Sequence, residues 1–424
     1  MSVLVLVLLP IVLLIIGVPI FVALMAIAIV GVWIVDSPLH AVHTSMFGSL
    51  DSFPLLAVPL FIFAGDIMAR GGMARRLIEF MLSLVGGIRG SLGLATIASC
   101  EAFGVMSGSS VACVAAIGKL TVPALRKNGY GETFSVSLVT ASGVIDVIIP
   151  PSIPMIIYAI AAQQSVADLF LAGFLPGILV GVVLSAYVYV YARRHKVPVG
   201  APPRWDNIRH AAKEAFWAVL APVVILGGIY GGVFTPTEAA GAACIYAIII
   251  SMFVYREMSL ADLWQITLDS AALIAQILVI VSAAGAFAWL ITTSGLPTKL
   301  IMFVDGLGLQ YWMLLVVINV LLLFVGSALE PPAAILILTP LLTPIAYKAG
   351  IDPIHFGIIV TINLAIGMFM PPFGLNLFAS NALFGTALPK LYRGVLPFLV
   401  LYVFVLALVT YIPAISLAPL RLFK

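Results

Sequence analysis

Charge is scarce in this chain. Asp, Glu, Lys and Arg together make up 9% of its 424 residues, against 63% hydrophobic residues. A soluble globular domain carries about 25% charged residues, so this composition belongs to an integral membrane protein. Cysteine is nearly absent: Cys100, Cys113 and Cys244 lie in apolar stretches without metal-ligand spacing and read as packing residues. Neither a disulfide framework nor a redox compartment follows from them. The five histidines share no helical face and no catalytic partner, and no Ser-His-Asp arrangement, phosphate-cradling glycine loop or nucleic-acid motif occurs. These absences argue against an enzyme and against nucleic acid as a partner. The first apolar run, from Val3, has no basic segment before it and no small-residue cleavage site after it, so it reads as a retained span.

What the chain has is apolar runs, near 3–16, 18–35, 53–69, 90–106, 109–125, 132–163 and 168–192, then near 215–232, 237–255, 269–293, 310–326, 331–347, 354–380 and 394–417. At about 20 residues per span, ten or more crossings fit, in one polytopic domain. Between the two sets lies the longest polar stretch, "ARRHKVPVGAPPRWDNIRHAAKE" (192–214). Similar spacing on either side of a linker suggests duplication. A shift of 221 positions carries Pro150-Pro151 onto Pro371-Pro372, and pairs Pro123 with Pro344, Lys127 with Lys348, Gly129 with Gly350, Thr140 with Thr361, Gly173 with Gly394 and Pro176 with Pro397. Prolines and glycines are the informative pairs because they mark backbone geometry. The chain therefore divides into a first repeat (1–191), a linker (192–213) and a second repeat (214–424).

Topology follows from counting. If 90–126 forms a re-entrant hairpin, the first half crosses five times, and the second half, with its hairpin at 310–348, enters the membrane upside down. A cytoplasmic linker, as its Arg and Lys require, places Arg70, Arg75, Arg76, Arg89, Arg126, Lys127, Arg256, Lys390 and Arg393 on the same side. Lys299, Lys348, Arg421 and Lys424 fall outside, and both termini are periplasmic. Helix-breaking, hydrogen-bonding residues occupy the middle of each hairpin: Ser107, Gly108, Ser109 and Ser110 in "GVMSGSSVACVA" (104–115), and Gly326, Ser327, Glu330, Pro331 and Pro332 in "VGSALEPPAAI" (325–335). Non-helical backbone at membrane depth is tolerated only where protein or a cavity covers it, so the two tips are expected to meet near the midplane.

The span after each hairpin is broken as well, in 132–163 by Pro150-Pro151 within "VIIPPSIPMIIY" (147–158), and in 354–380 by Pro371-Pro372. A helix stopped in mid-membrane exposes up to four unpaired carbonyls on one arm and four unpaired N–H groups on the other. Carbonyls can coordinate Na⁺, and N–H groups with the positive dipole end can hold a carboxylate. The expected substrate site comprises Ser107, Gly108, Ser109, Ser110, Pro150, Ser152, Asn363, Pro371 and Asn376. Plainer readings stand beside these. A proline pair can be only a kink, and a Ser-Gly-Ser-Ser run can ease close helix packing. Asp146 either caps the half-helix near Pro150 or is a functional intramembrane carboxyl, as is Glu330. Glu101 reads as a structural pair for Lys119 or as part of a gate, and Lys119 as a snorkelling side chain. Asn363, Asn376 and Asn381 can bond to freed backbone, and the linker can be a tether or an anionic-lipid contact.

Several motifs together resemble one family. They are "SGSSVACVAAIGKLTVPALRKNGY" (107–130), "IIPPSIPMIIY" (148–158), "LFLAGFLPGIL" (169–179), "FTPTEAAG" (234–241), "LILTPLLTPIAYKAGIDPIHFG" (336–357) and "IGMFMPPFGLNLF" (366–378). In this order they are similar to the DctM-like large membrane subunit of the tripartite ATP-independent periplasmic (TRAP) transporters, over essentially the whole chain. The resemblance implies an all-α polytopic protein with an elevator-type fold: an inverted repeat, two re-entrant hairpins and two broken helices. It implies Na⁺-coupled import of a carboxylate such as a sialic acid, a C4-dicarboxylate or a sugar acid in a bacterial inner membrane. A periplasmic binding protein delivers the substrate, and a small four-helix (DctQ-like) membrane subunit, here expected as a separate chain, braces the fixed part. Carried over by motif, one Na⁺ site lies at Ser107 and Ser109 with backbone near Asp146, Ile149 and Pro151. The other lies at Gly326 and Glu330 with backbone near Gly367 and Met370. Three positions depart from the commoner pattern: Asp146 stands where glycine is usual, Met370 where threonine often precedes the prolines, and Cys113 where a polar residue is common. Asp146 is thus expected to add charge to the first site or to alter substrate preference. A stand-alone Na⁺/carboxylate symporter is the alternative within transport, and a channel or membrane scaffold the alternative outside it.

Overall fold

The computed structural model describes residues 9, 12–13, 16–35, 38–200 and 202–423. Most of the expected span at 3–16, and Lys424, lie outside them. The described residues are all-helical, with an isolated bridge between Arg89 and Val199. The first half comprises α1 (Ile20–Val35), α2 (His40–Leu50), a 3₁₀ turn (Phe53–Leu56), α3 (Ala57–Arg70), α4 (Met73–Leu84), α5 (Ser91–Ser107), α6 (Ser110–Lys127), α7 (Glu132–Ser142), α8 (Ile145–Ile148), α9 (Ile153–Ala162) and α10 (Val166–Arg194). The second comprises α11 (Trp205–Tyr230), α12 (Pro236–Ile249) with a π turn (Ile250–Val254), α13 (Leu260–Thr293), α14 (Leu296–Gly306), α15 (Tyr311–Ala328), α16 (Pro331–Lys348), α17 (Pro353–Gly367), α18 (Leu375–Phe384), α19 (Leu388–Tyr411) and α20 (Ala414–Phe423). Eight helical stretches among the described residues are long and apolar enough to cross a bilayer, and the chain is a multi-pass membrane protein.

Helix ends differ from the apolar runs in places where polar residues continue a helix. The linker expected at 192–213 is largely helical. α10 continues to Arg194 and α11 begins at Trp205, so 195–204 alone joins them. Likewise α13 starts at Leu260, well before the apolar run at 269, because Ser259 and Asp262 form a capping box that satisfies its first N–H groups. At about 1.5 Å per residue, its 34 residues exceed the ~30 Å hydrocarbon core, so its polar first turns stand outside the bilayer. The second broken span extends past 380 to Phe384. α4 is a short amphipathic helix: Met73, Ala74, Leu77 and Ile78 are buried on one stripe, while Arg75 and Arg76 on the other bond Glu257 at 2.5 and 2.7 Å. Arg76 also stacks on Tyr255, 3.8 Å from the ring centroid, and Arg70 meets Asp269 at 2.6 Å. These arginines thus gather at one corner of the molecule.

Helix boundaries repeat at the offset seen in the sequence. Ser110–Lys127 and Pro331–Lys348 differ by 221 at both ends. Gly129 and Gly350 each turn the chain after those helices with positive φ, a conformation open to glycine without Cβ strain. Pro150-Pro151 and Pro371-Pro372 are both cis. The halves interlock: α9, after the first break, packs on α16 of the second half, and α18, after the second break, packs on α6 of the first. Buried hydrogen bonds cross the same boundary, from Tyr402 to the Ala141 carbonyl (2.7 Å), from Tyr158 to the Pro353 carbonyl (3.0 Å), and between the Thr140 and Ser380 hydroxyls (2.6 Å). Around this centre, α13 packs on α1, α2, α3 and α16, while α12 packs on α3.

Close backbone approach seats each hairpin on its broken helix. A Cβ at Gly104 would lie 2.8 Å from the Asp146 Cα, and a Cβ at Gly367 would collide with the Gly326 backbone. Gly367→Ala is therefore expected to lower stability by about 1–3 kcal/mol, since backbone cannot yield as a flexible side chain does. Gly241, whose Cβ would meet nothing within 4 Å, should accept Ala without loss. Melting of the two purified variants in detergent checks both.

Candidate transport site

The first tip is built by a stop and a restart. α5 ends at Ser107, Gly108 reverses the chain with φ +61°, and extended Ser109 precedes α6. The Ser107 hydroxyl donates to Asp146 Oδ2 at 3.0 Å and accepts from the Ser109 N–H at 3.1 Å. The N–H groups of Gly108 and Ser109 face the same carboxylate. Asp146 is fully buried, and its Oδ1 has no hydrogen-bond partner among the described residues. Just beyond, the break is held by Ser152, which caps α9 by accepting from Met155 N–H (3.5 Å) and donates to the Val147 carbonyl (2.5 Å). Among the described residues no donor reaches the carbonyls of Ile149 or Pro151. Gly108 lies over this segment, where a Cβ would sit 3.4 Å from the Pro151 carbonyl oxygen.

The second tip is looser. Ser327 bonds back to Phe324 within its own helix (2.8 Å), and Glu330, which precedes α16, is exposed. After α17 the chain turns through Met368–Gly374. There Met370 N–H bonds to the Gly367 carbonyl (3.2 Å), Gly374 N–H to the Met370 carbonyl (3.0 Å) and Asn376 N–H to the Met368 carbonyl (2.8 Å).

Both tips open on one cavity of about 490 Å³. Its wall includes Ser107–Ser110 from the first tip and Glu330, Pro331 and Pro332 from the second. Val147 and Met368 stand beside the breaks, Asp66 belongs to α3, and Leu273 and Ile277 belong to α13. Four helices begin at this wall: α6 at Ser110, α9 at Ile153, α16 at Pro331 and α18 at Leu375. Each N-terminus carries roughly half a positive charge and unpaired N–H groups, and converging ends of this kind make an anion site. Neither Lys, Arg nor His lines the cavity. A second cavity of about 230 Å³ lies under the second tip, between Gly326–Pro331 and Met368.

Of the expected site residues, Ser107, Gly108, Ser109, Ser110 and Glu330 line the main cavity and Gly326 the smaller one. Asp146, Ile149, Pro150, Pro151 and Gly367 are buried directly behind them, and Met370 and Pro371 are partly buried. Ser152, Asn363 and Asn376 are fully buried and form no part of the cavity wall. Asn376 instead donates to the Ser110 hydroxyl (2.5 Å) and the Thr140 carbonyl (3.4 Å). Asn363 bonds to Asn319 (2.7 Å) and the Ile359 carbonyl (2.8 Å). Sequence reasoning missed Asp66, which accepts from Ser270 at 2.6 Å. An acidic residue within the apolar run 53–69 was the available signal. Glu101 and Lys119 form no ion pair with one another.

Opposed tips, two interrupted helices and a shared polar cavity within an apolar bundle define an all-α membrane transporter fold. A solved structure described as the Alcanivorax borkumensis YdaH transporter of unusual topology has that fold too, with a TM-score of 0.65 over 88% of each chain at 15% identity. The chain belongs to the family of the tripartite ATP-independent periplasmic transporter, DctM component, which matches residues 6–415. It is similar to the C4-dicarboxylate TRAP transporter large permease protein DctM of Pseudomonas aeruginosa, 44% identical over 88% of this chain and 87% of that one. It is also similar to the isethionate TRAP transporter permease protein DctMQ of Oleidesulfovibrio alaskensis, 42% identical over 95% of this chain and 64% of that longer protein. The chain is a transport component and not an enzyme.

The geometry sorts the hydroxyls by reach. With the three native cysteines replaced by alanine, Ser109→Cys is expected to react with a small water-soluble thiol reagent. Ser152→Cys, buried under the α9 cap, is expected to stay unlabelled; mass spectrometry of the labelled protein distinguishes them.

Proposed function

We propose that this chain is the large membrane subunit of a Na⁺-coupled importer of small organic carboxylates, fed by a periplasmic binding protein. One observation carries the reading: four helix N-termini from both halves converge on one cavity that no basic side chain lines. Partial positive charges fixed in the backbone favour a carboxylate there, and two carboxylates in the wall, Asp66 and Glu330, oppose it unless cations are bound. Both relatives named above carry small organic anions in their names, a C4-dicarboxylate and isethionate. C4-dicarboxylates are the first substrates to test, followed by sialic acids and sugar acids.

The residues fit Na⁺ at the first break. The orphaned Asp146 Oδ1, the Ser107 and Ser109 groups and the unoccupied carbonyls of Ile149 and Pro151 are hard oxygen donors behind the tip. At the second break, Gly326, Glu330, Gly367 and Met370 would hold the other ion. The Gly367 and Met370 carbonyls each accept one hydrogen bond and retain a second lone pair. When bound, the cations supply positive charge that lets an anion enter an acidic cavity. In this reading the hairpins and broken helices form one body that slides against α1–α3, α10–α13 and α19, in an inverted-repeat elevator. The segment 195–204 faces the cytoplasm of a bacterial inner membrane, the termini face the periplasm, and a separate small membrane subunit braces the outer helices.

Proteoliposomes with both membrane subunits test this. Labelled succinate or sialic acid is expected to accumulate only with an inward Na⁺ gradient and the binding protein. Uptake with Na⁺ but without the binding protein would move the chain to the stand-alone symporters. Replacing Ser107 and Ser109 with leucine is expected to abolish the uptake while leaving the protein folded. Cysteine pairs joining the first hairpin to α3 at the cavity wall, at Ala112 and Ile62, are expected to crosslink in one transport state and to stop turnover. Crosslinking without loss of transport would rule out the sliding body.

A further inference from the structure

The two breaks are not chemically equivalent. The 221-residue offset that superposes the halves carries Asp146 onto Gly367. In the first half a carboxylate fills the space between tip and break; in the second that position has no side chain and abuts the Gly326 backbone. Resting on the reading that both breaks bind Na⁺, we propose that Asp146 makes the first site an anionic one that loads Na⁺ before any substrate arrives, while the second site takes its ion only together with the anion.

Asp146 is fully buried, with the Ser107 hydroxyl donating to its Oδ2 and the Gly108 and Ser109 N–H groups facing the carboxylate. Among the described residues it has no ion-pair partner, and its Oδ1 has no partner of any kind. A buried carboxylate so placed is costly unless a cation meets it. Two carbonyls without donors, those of Ile149 and Pro151, follow in the same segment. The ion therefore completes a charge balance that exists without substrate. At the second break the buried donors are neutral carbonyls, already engaged once each. The nearest carboxylate, Glu330, is exposed, so water already meets its charge. A cavity of about 230 Å³ lies beside this break, lined by Gly326–Pro331, Met368, Phe373 and Leu375. A cation entering there gains its counter-charge from the substrate anion in the neighbouring cavity, so the two bind as a pair. The first site holds the tip in shape, and the second couples ion to cargo.

The test is Na⁺ binding to the purified two-subunit membrane complex in nanodiscs, read by ²³Na NMR and by melting in NaCl against choline chloride, with and without succinate. Wild type is expected to bind Na⁺ saturably without succinate. Asp146→Asn is expected to weaken that binding by about tenfold or more, as loss of a ligating or supporting group does. It should melt no lower than wild type in choline, because the amide removes an unpaired buried charge from the same space. Asp146→Gly, which copies Gly367, is expected to bind Na⁺ only when succinate is present. Unchanged substrate-free Na⁺ affinity in both variants would overturn the inference and leave Na⁺ coupling standing, as would a wild type that binds Na⁺ only with succinate. A complex that responds to Na⁺ in neither condition would remove the coupling reading and this inference with it.

Discussion

An interrupted helix inside a bilayer must find partners for its freed backbone groups, and the architecture of this protein is arranged around that requirement. In water the carbonyls and N–H groups beside Pro150-Pro151 and Pro371-Pro372 would simply be hydrated. In hydrocarbon each unmet group costs several kcal/mol, so each break is covered by a hairpin tip and capped from within. Ser152 closes one end of the first break, and the turn from Met368 to Asn376 closes the second with three backbone hydrogen bonds. What remains unmet at the first break, Asp146 Oδ1 and the Ile149 and Pro151 carbonyls, lies buried behind the wall of one cavity, where four helix starts are concentrated. Binding capacity is thus the residue left after local satisfaction, and the same glycines that let the tips seat closely confine it to a small volume.

Charge is distributed by the same logic. Of the arginines that sequence analysis assigns to one side of the membrane, Arg70, Arg75, Arg76 and Arg126 are paired at the edge of the bundle, where exposed ion pairs are worth about 0–1 kcal/mol each. They fix little energy but keep strong charge out of the interior. Inside, the charged groups at the site are acidic, and positive potential comes from backbone dipoles. A site made this way recognises an anion without a lysine or arginine that would have to be desolvated, and it stays dependent on small cations.

The hairpins, breaks and repeat were legible because proline, glycine and serine are conspicuous against apolar runs and each recurs at one offset. The tip residues of the cavity wall, Ser107–Ser110 and Glu330, were legible for the same reason. Three helices were not. α2, α4 and α14 are short, and polar residues such as Arg75, Arg76 and Glu79 break up their apolar pattern, so a search for long apolar runs passes over them. Within the polar stretch between the repeats, "WDNIRHAAKE" is the helical start of α11, which an apolar pattern does not show. Asp66, Leu273 and Ile277 reach the cavity from helices far away in sequence, and local spacing carries no trace of that contact. Ser152, Asn363 and Asn376 were recognisable as polar groups in broken spans. Whether such a group faces a cavity or a neighbouring helix depends on tertiary packing, and here each donates to protein partners, while Asn363 Oδ1 and Asn376 Oδ1 have none among the described residues.

The crossed packing of α9 on α16 and of α18 on α6 has a consequence for how the chain is made. The first half leaves the ribosome about two hundred residues ahead of the second, yet its post-break helix packs more on α16 of the second half than on any element of its own. Until α16 and α17 are inserted, the Tyr158 hydroxyl has no Pro353 carbonyl to meet, and the face of α9 that α16 covers is turned to lipid or to an insertion factor. The repeat is thus a duplication in sequence but not in packing: the helix after each break packs most on the other copy, so the interlocked core is complete only when the second break is in place.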